Sequence, residues 1–282
     1  MKYPELQQEY PLTDEQIAEY QRDGFIKLEN VLTDKTLQAF RDAVATTVEA
    51  EKNTDALGIK KGTDVVPNGV YGQIFIQRVN VWQRHPKVKE FIFGSRLANL
   101  AARLSGEPVR IWHDQALFKE PLTGSKTPWH QDAPYWPHMD RTKQLSIWIA
   151  LKDATKENGC MSFLPGTHKF GAKEPIELGD ENPKGVFDIV PEAKNIKPVT
   201  HELKAGSATF HNGLCFHYAG PNRSKEMREA FVVIYMPTST RYDGKFHIVT
   251  KDSGFAEGEV LNGDLFPELS TPPLGKSPAS IL

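Results

Sequence analysis

Two cysteines in 282 residues, Cys160 and Cys215, are too few for a disulfide-stapled secreted domain. No run approaches the roughly 20 apolar residues that a membrane helix needs. The opening MKYPELQQEYPLTDEQ lacks the apolar stretch of a secretory leader. Charge of one sign is scarce too: the formal net charge is -2 and no segment is strongly basic, so nucleic acid is not an expected partner. There is no internal repeat and no low-complexity tract. These absences leave an ordinary globular composition, 39% hydrophobic and 25% charged, expected in the cytoplasm with reduced thiols and no membrane partner. The sequon Asn222-Arg223-Ser224 then carries no glycan. Chain length sets no oligomeric state.

Helical patterns dominate the first third. Thr13 with Gln16 reads as a capping box, and Gly24 ends that helix. A short strand, Phe25 to Leu28, follows. Leu37, Phe40, Val44 and Val48 recur at helical spacing within a helix from about Asp34 to Glu51. Residues 53–70 are polar and Gly-containing, which reads as a loop and a lid. Two further helices are expected at 86–93 and 95–105, the second stopped by Gly106. From residue 108 short β-rich runs take over: Val109–Trp112, Ala116–Lys119, Leu145–Leu151, Met161–Leu164, Ser207–Phe210 and Phe231–Tyr235. Many short strands punctuated by Gly and Pro argue for a sandwich or barrel. The expected architecture is a mainly β jelly roll with flanking N-terminal helices. It is read as one domain over 1–282: a helical part at about 13–106, a core at about 107–250 and a tail at 251–282.

The chemistry centres on Trp129-His130-Gln131-Asp132. On a strand, residues i and i+2 share a face, so His130 and Asp132 can converge on one ion. With one distant His they make a 2-His-1-carboxylate set, which suits non-haem Fe(II) and leaves coordination positions open. A His-x-Asp pair alone says little, and the chain holds a second, His138-Met139-Asp140. The third ligand could be His201, His211 or His217. His217 precedes a turn at Asn222-Arg223, and a hairpin centred there pairs 217 with Arg228. An Arg beside an iron ligand is what the far carboxylate of 2-oxoglutarate requires.

With these residues in view the chain resembles the phytanoyl-CoA dioxygenase family of Fe(II)/2-oxoglutarate-dependent oxygenases. The matching segments are WHQDAPYWP at 129–137, ENGCMSFLPGTHK at 157–169 and HYAGPNRS at 217–224 with Arg228, together with DGFIKLENVL at 23–32. The resemblance implies a double-stranded β-helix, cupin-like core. It implies iron held by His130, Asp132 and His217, 2-oxoglutarate held by Arg228, and O2 as the oxidant. It also places Trp148 and Gln115 at the co-substrate, Gln77 and Asn80 as weaker candidates, and the pair His138 and Asp140 in a loop near the entrance. Some members have Ser where this chain has Ala219, which removes one hydroxyl near the co-substrate. Halogenating relatives replace the metal carboxylate with a small residue, whereas Asp132 is present, so hydroxylation or a related oxidation of a small molecule, with release of succinate and CO2, is the expected outcome.

Tyr135 and Trp136 directly follow the metal motif and are candidates for the substrate wall, while Tyr71 reads as ordinary core. Pro165-Gly166-Thr167-His168 reads as a structural turn. Cys160 and Cys215 read as inert core thiols, and Arg141 as a solvated charge. Two other classes stay open at this point: a cupin-type metalloenzyme that uses no 2-oxoglutarate, against which Arg228 argues, and a non-enzymatic jelly-roll ligand-binding protein, against which a complete triad argues.

Overall fold

The computed structural model describes residues 3–58, 75–123, 125–176 and 185–270. The lid expected at 53–70 lies mostly outside them, as do Tyr71 and the last dozen residues of the tail. Helix α1 (Asp14–Asp23) begins as the sequence predicts. Thr13 accepts from the Gln16 amide, the Gln16 side chain reaches back to the Thr13 amide, and Gly24 closes the helix at φ 81°. Strand β1 (Phe25–Leu28) leads to α2 (Asp34–Ala50), which buries Phe40, Val44 and Val48 along one stripe. Then come β2 (Ile76–Val79), a one-turn helix α3 (Val81–Arg84) absent from the sequence reading, α4 (Pro86–Ile92) and α5 (Ser95–Ser105). Asp114 accounts for α3: its carboxylate accepts from the amides of Val81 and Trp82 at the helix start, a cap supplied from a distant strand.

The β core follows. Its strands are β3 (Val109–Lys119), β4 (Thr127–His130), β5 (Leu145–Ala150), β6 (Met161–Phe163), β7 (Val199–His201), β8 (Ala208–Asn212), β9 (His217–Ala219), β10 (Arg228–Pro237) and β11 (Glu268–Ser270). The two runs expected at 109–112 and 116–119 are one strand, because His113, Asp114 and Gln115 continue the ladder to β10 with a bulge at Ile234/Tyr235. The strand expected at 207–210 runs on to include His211. The larger sheet has the order β1-β8-β5-β10-β3-β11 with β2 also on β3, and the smaller one β4-β9-β6-β7. This is the jelly roll that the pattern predicts. Residues 251–270, expected as tail, are built in: Leu261 and Phe266 are fully buried and β11 pairs with β3.

Alternation assigns the faces. Ile147, Ile149, Phe231, Val233 and Tyr235 pack outward against α2, α4 and α5, whereas Trp148, Val232 and Ile234 point inward. Each fully buried Leu, Ile or Phe contributes roughly 2 kcal/mol. That helical layer fixes which side of the sheet is left concave. No described helix is long and apolar enough to cross a membrane.

Candidate active site

The concave face of the larger sheet is organised in rows. The ladders align His113 with Ile234, Ser146 and His211 across β3, β10, β5 and β8. Two residues along, Gln115 aligns with Val232, Trp148 and Thr209, and at the far end Lys119 aligns with Arg228. The smaller sheet closes over these rows and encloses a cavity of about 310 Å³. His130, Asp132, Tyr135, Trp136, Trp148, Gln77, Gln115, His217 and Arg228 all line it.

His130 and His217 are register partners on β4 and β9, with ring centroids 4.1 Å apart. Asp132 is not on the strand, as the i, i+2 argument supposed. It stands just past β4 with helical dihedrals, at the start of a 3-10 turn, and that turn swings its carboxylate back toward both rings. Asp132 Oδ1 lies 3.4 Å from His130 Nε2 and 3.5 Å from His217 Nε2. One ligand atom from each of the three residues falls within 4.8 Å of the others, the only such grouping of His, Cys, Asp or Glu among the described residues.

The surrounding hydrogen bonds fix how these atoms present themselves. His130 Nδ1 donates to the Pro128 carbonyl at 2.8 Å, and His217 Nδ1 donates to the Cys215 carbonyl at 3.0 Å. A carbonyl only accepts, so each Nε2 is left with its lone pair facing the shared space. Asp132 Oδ2 accepts from Ser146 Oγ and from His211 Nε2, both at 3.2 Å. Burial pushes the Asp132 carboxyl up, but His217, His130 and His211 outweigh it and hold the group well below the usual carboxylate range. Burial lowers His217 strongly, which favours the neutral, ligating imidazole.

Arg228 is not the cross-strand partner of His217. His217 pairs with His130 and Phe163 in the smaller sheet, while Arg228 opens β10 opposite Lys119 in the larger one. The loop at 220–227 is too long for a tight hairpin, so the symmetric pairing fails. Both residues nevertheless line the cavity. Arg228 is 1% exposed, with its guanidinium carbon 5.1 Å from the Trp148 ring and 5.6 Å from that of Phe75. Its Nε and Nη2 are buried without a partner among the described residues. Burial draws it down to about 10, which leaves it charged at neutral pH. A buried cation with two unsatisfied donors is costly unless an anion joins it.

Gln77 Nε2 donates to Gln115 Oε1 at 2.7 Å, so these two candidates form one polar edge of the cavity. Tyr135 lines it too, and its hydroxyl donates to the Ile176 carbonyl. Asn80 does not reach it. That residue caps α3 at φ 54°, its amide donates to the Asp114 carbonyl, and it is not among the cavity-lining residues. His138 is no entrance loop either. It is fully buried edge-on against Trp112, 4.5 Å between centroids, while Asp140 is exposed. Arg141, expected in water, pairs with Asp243 at 2.7 Å. The Pro-Gly turn is structural: Thr167 Oγ1 donates to the Leu164 carbonyl and accepts from the Phe216 amide. The sequence reading missed Ser146 in the Asp132 shell and weighed His211 only as a ligand.

The pattern of a family described as phytanoyl-CoA dioxygenase (PhyH) matches residues 20–230. The chain belongs to the phytanoyl-CoA dioxygenase family. It is accordingly a non-haem iron, 2-oxoglutarate-dependent oxygenase. It is similar to the peroxisomal phytanoyl-CoA dioxygenase of Rattus norvegicus, 24% identical over 241 residues, 82% of this chain and 70% of that one. Among solved structures it resembles the non-haem α-ketoglutarate-dependent carbocyclase SnoK from nogalamycin biosynthesis, at 27% identity and TM-score 0.77, with 92% of this chain and 97% of that one covered. It also resembles the epimerase SnoN in complex with Fe3+, α-ketoglutarate and nogalamycin RO, at 27% identity and TM-score 0.73, covering 91% and 98%. The two solved structures, one a carbocyclase and the other an epimerase, thus share this chain's scaffold.

Proposed function

We propose that His130, Asp132 and His217 hold the iron, that Arg228 binds the far carboxylate of 2-oxoglutarate, and that the remaining cavity takes a small organic molecule, which is hydroxylated. One observation carries the reading: three converging ligand atoms share a cavity with a buried guanidinium whose Nε and Nη2 lack partners among the described residues. The donor set fits the metal, since two neutral imidazoles and one carboxylate suit Fe(II) and leave positions open. Iron bound there would couple the oxidative decarboxylation of 2-oxoglutarate, giving succinate and CO2, to oxidation of a C–H bond by O2.

The chain's own residues orient and exclude. Ser146 and His211 pin one oxygen of Asp132 and so aim the other. The Pro128 and Cys215 carbonyls set the tautomers of the two ligand histidines. Arg228 offers a planar fork, and the neighbouring rings of Trp148 and Phe75 keep water out and strengthen its hold on an anion. Gln115 and Gln77 border the co-substrate end, and Tyr135 and Trp136 form the substrate wall. Both cysteines are buried free thiols, in keeping with a reducing, cytoplasmic setting.

The test is anaerobic loading with Fe(II) and 2-oxoglutarate, admission of air, and mass spectrometry of succinate. Succinate that requires both Fe(II) and O2 is the expected result. No succinate, together with no calorimetric binding of 2-oxoglutarate to Mn(II)-loaded protein, would overturn the reading.

A further inference from the structure

One end of the row that holds Ser146 and His211 has no part in the scheme above. His113 is on β3, in the same rung as Ser146 and His211 but two strands away from Ser146, hence about 10 Å from it across the sheet. His247, from the turn after β10, stands over it with ring centroids 6.2 Å apart and planes inclined by 27°. Both imidazoles line the cavity. Trp112 backs them, 6.0 Å from His113 and 5.1 Å from His247.

Their hydrogen bonds make the two rings chemically unlike. His247 Nδ1 accepts from the Val249 amide at 3.1 Å. The ring proton of a neutral His247 therefore sits on Nε2, which is a donor. His113 Nδ1 approaches the Asp114 carbonyl at 3.4 Å, a long contact in which only the nitrogen can donate. Its Nε2 is then an acceptor. Neither Nε2 has a partner among the described residues, and both rings line the cavity. Burial lowers His113 to about 4 and His247 to about 3, so both rings are neutral at physiological pH.

We infer that His113 and His247 form a donor–acceptor pair that recognises a hydroxyl, or an enolised carbonyl, on an otherwise apolar substrate, and so position it for oxidation. A hydroxyl donates to His113 Nε2 and accepts from His247 Nε2–H at once, and a methyl group in its place can do neither. A large share of the wall agrees with such a substrate, since Val79, Leu117, Trp136, Met161, Val232 and Ile234 are apolar. The inference deepens the oxygenase reading and rests on it, with His113 and His247 as positioning residues.

A matched pair of probes tests it, 2-naphthol and 2-methylnaphthalene, which differ only by hydroxyl against methyl. Their binding to Mn(II)- and 2-oxoglutarate-loaded protein is read by fluorescence, because Trp136 and Trp148 line the cavity. A site built to bond a hydroxyl discriminates strongly against an analogue that lacks it, so wild type should bind the naphthol about tenfold or more tighter. His113→Phe and His247→Phe should each reduce that ratio to about threefold or less, with the affinity for 2-methylnaphthalene kept. His113→Asn and His247→Gln, which retain a donor and an acceptor, should recover part of it. Thermal melts identify a variant that fails to fold, and the Asn and Gln variants then carry the test. An undiminished ratio in all four variants, no preference in wild type, or no binding of either probe would overturn the inference. If 2-oxoglutarate itself does not bind the wild type, the oxygenase reading has failed instead.

Discussion

His211 Nε2 lies 3.2 Å from Asp132 Oδ2, on the carboxylate oxygen that does not face His130 and His217. With Ser146 it decides which oxygen of Asp132 is offered to a metal. Partners of this kind typically change metal affinity by about 10- to 100-fold. His211→Leu should therefore weaken Co(II) binding within that range, Ser146→Ala should weaken it less, and His211→Gln should restore part. Wild-type affinity in His211→Leu, measured by direct titration, would mean that Asp132 needs no such support.

The two His-x-Asp pairs can be told apart. Asp132→Ala should lose metal and succinate formation together. His138→Ala should keep metal binding and lose thermal stability instead, because a fully buried ring against Trp112 leaves a void when removed, and core truncations of this size cost about 2–5 kcal/mol. A His138→Ala protein that folds but binds no metal would reverse the choice of pair.

The ligand set could be read from the chain because it depends on local spacing and on motifs quoted residue by residue. What escaped was whatever depends on two distant segments meeting. Asp132 leaves its strand for a 3-10 turn, yet still reaches both rings because His130 and His217 are register partners. The hairpin that was to bring Arg228 beside His217 does not form, and Arg228 arrives from the opposite sheet. His113 sits two residues before Gln115 on one strand, so period-2 alternation already placed it on the same face. The two expected strands with a gap between them hid that relationship. Asn80 fell outside the cavity because a left-handed cap, which no hydrophobic pattern signals, turns it away.

Arg228 should govern affinity for 2-oxoglutarate. Removing one partner of a buried charge pair costs about 3–5 kcal/mol, or at least about a hundredfold in affinity. Arg228→Ala should raise the KM for 2-oxoglutarate by that factor while Co(II) titration remains normal. Arg228→Lys should recover only part, since an ammonium cannot form two parallel bonds. An unchanged KM in both variants would transfer the role to another cation.

Lys119 neighbours Arg228 and is fully buried, with Nζ donating to the Gly220 carbonyl at 2.7 Å. Burial, reinforced by the charge of Arg228, brings its ammonium down to about 7. Between pH 7 and the unfolded value near 10.5 the unfolded chain binds more protons, so Lys119 makes stability rise with pH across that window. Below about 7 both states are protonated and the full penalty applies. Lys119→Met removes the titration, at the pH-independent cost of the Gly220 bond. Its Tm relative to wild type should therefore be most favourable at pH 6–7 and decline steadily toward pH 10. A difference flat across that range would show that Lys119 stays charged in the folded protein.

Two glycines with nearly the same backbone separate conformational strain from collision. Gly106 (φ 76°) ends α5, and a Cβ there would meet nothing within 4 Å. Gly159 (φ 87°) follows Asn158 in the turn before β6, and a Cβ there would lie 2.3 Å from the Gly220 carbonyl oxygen. That same oxygen accepts from Lys119, so it is held from the other side and cannot simply retreat. Gly106→Ala should cost only the left-handed strain of about 1–2 kcal/mol. Gly159→Ala should cost that plus a displacement of backbone, about 1–3 kcal/mol more. Because Gly220 lies three residues beyond His217, the second variant should also weaken metal binding, whereas the first should not. Urea midpoints give the stability difference and Co(II) titration the second effect. Equal stability of the two variants would show that the 158–159 turn yields freely and does not brace the strand that carries His217.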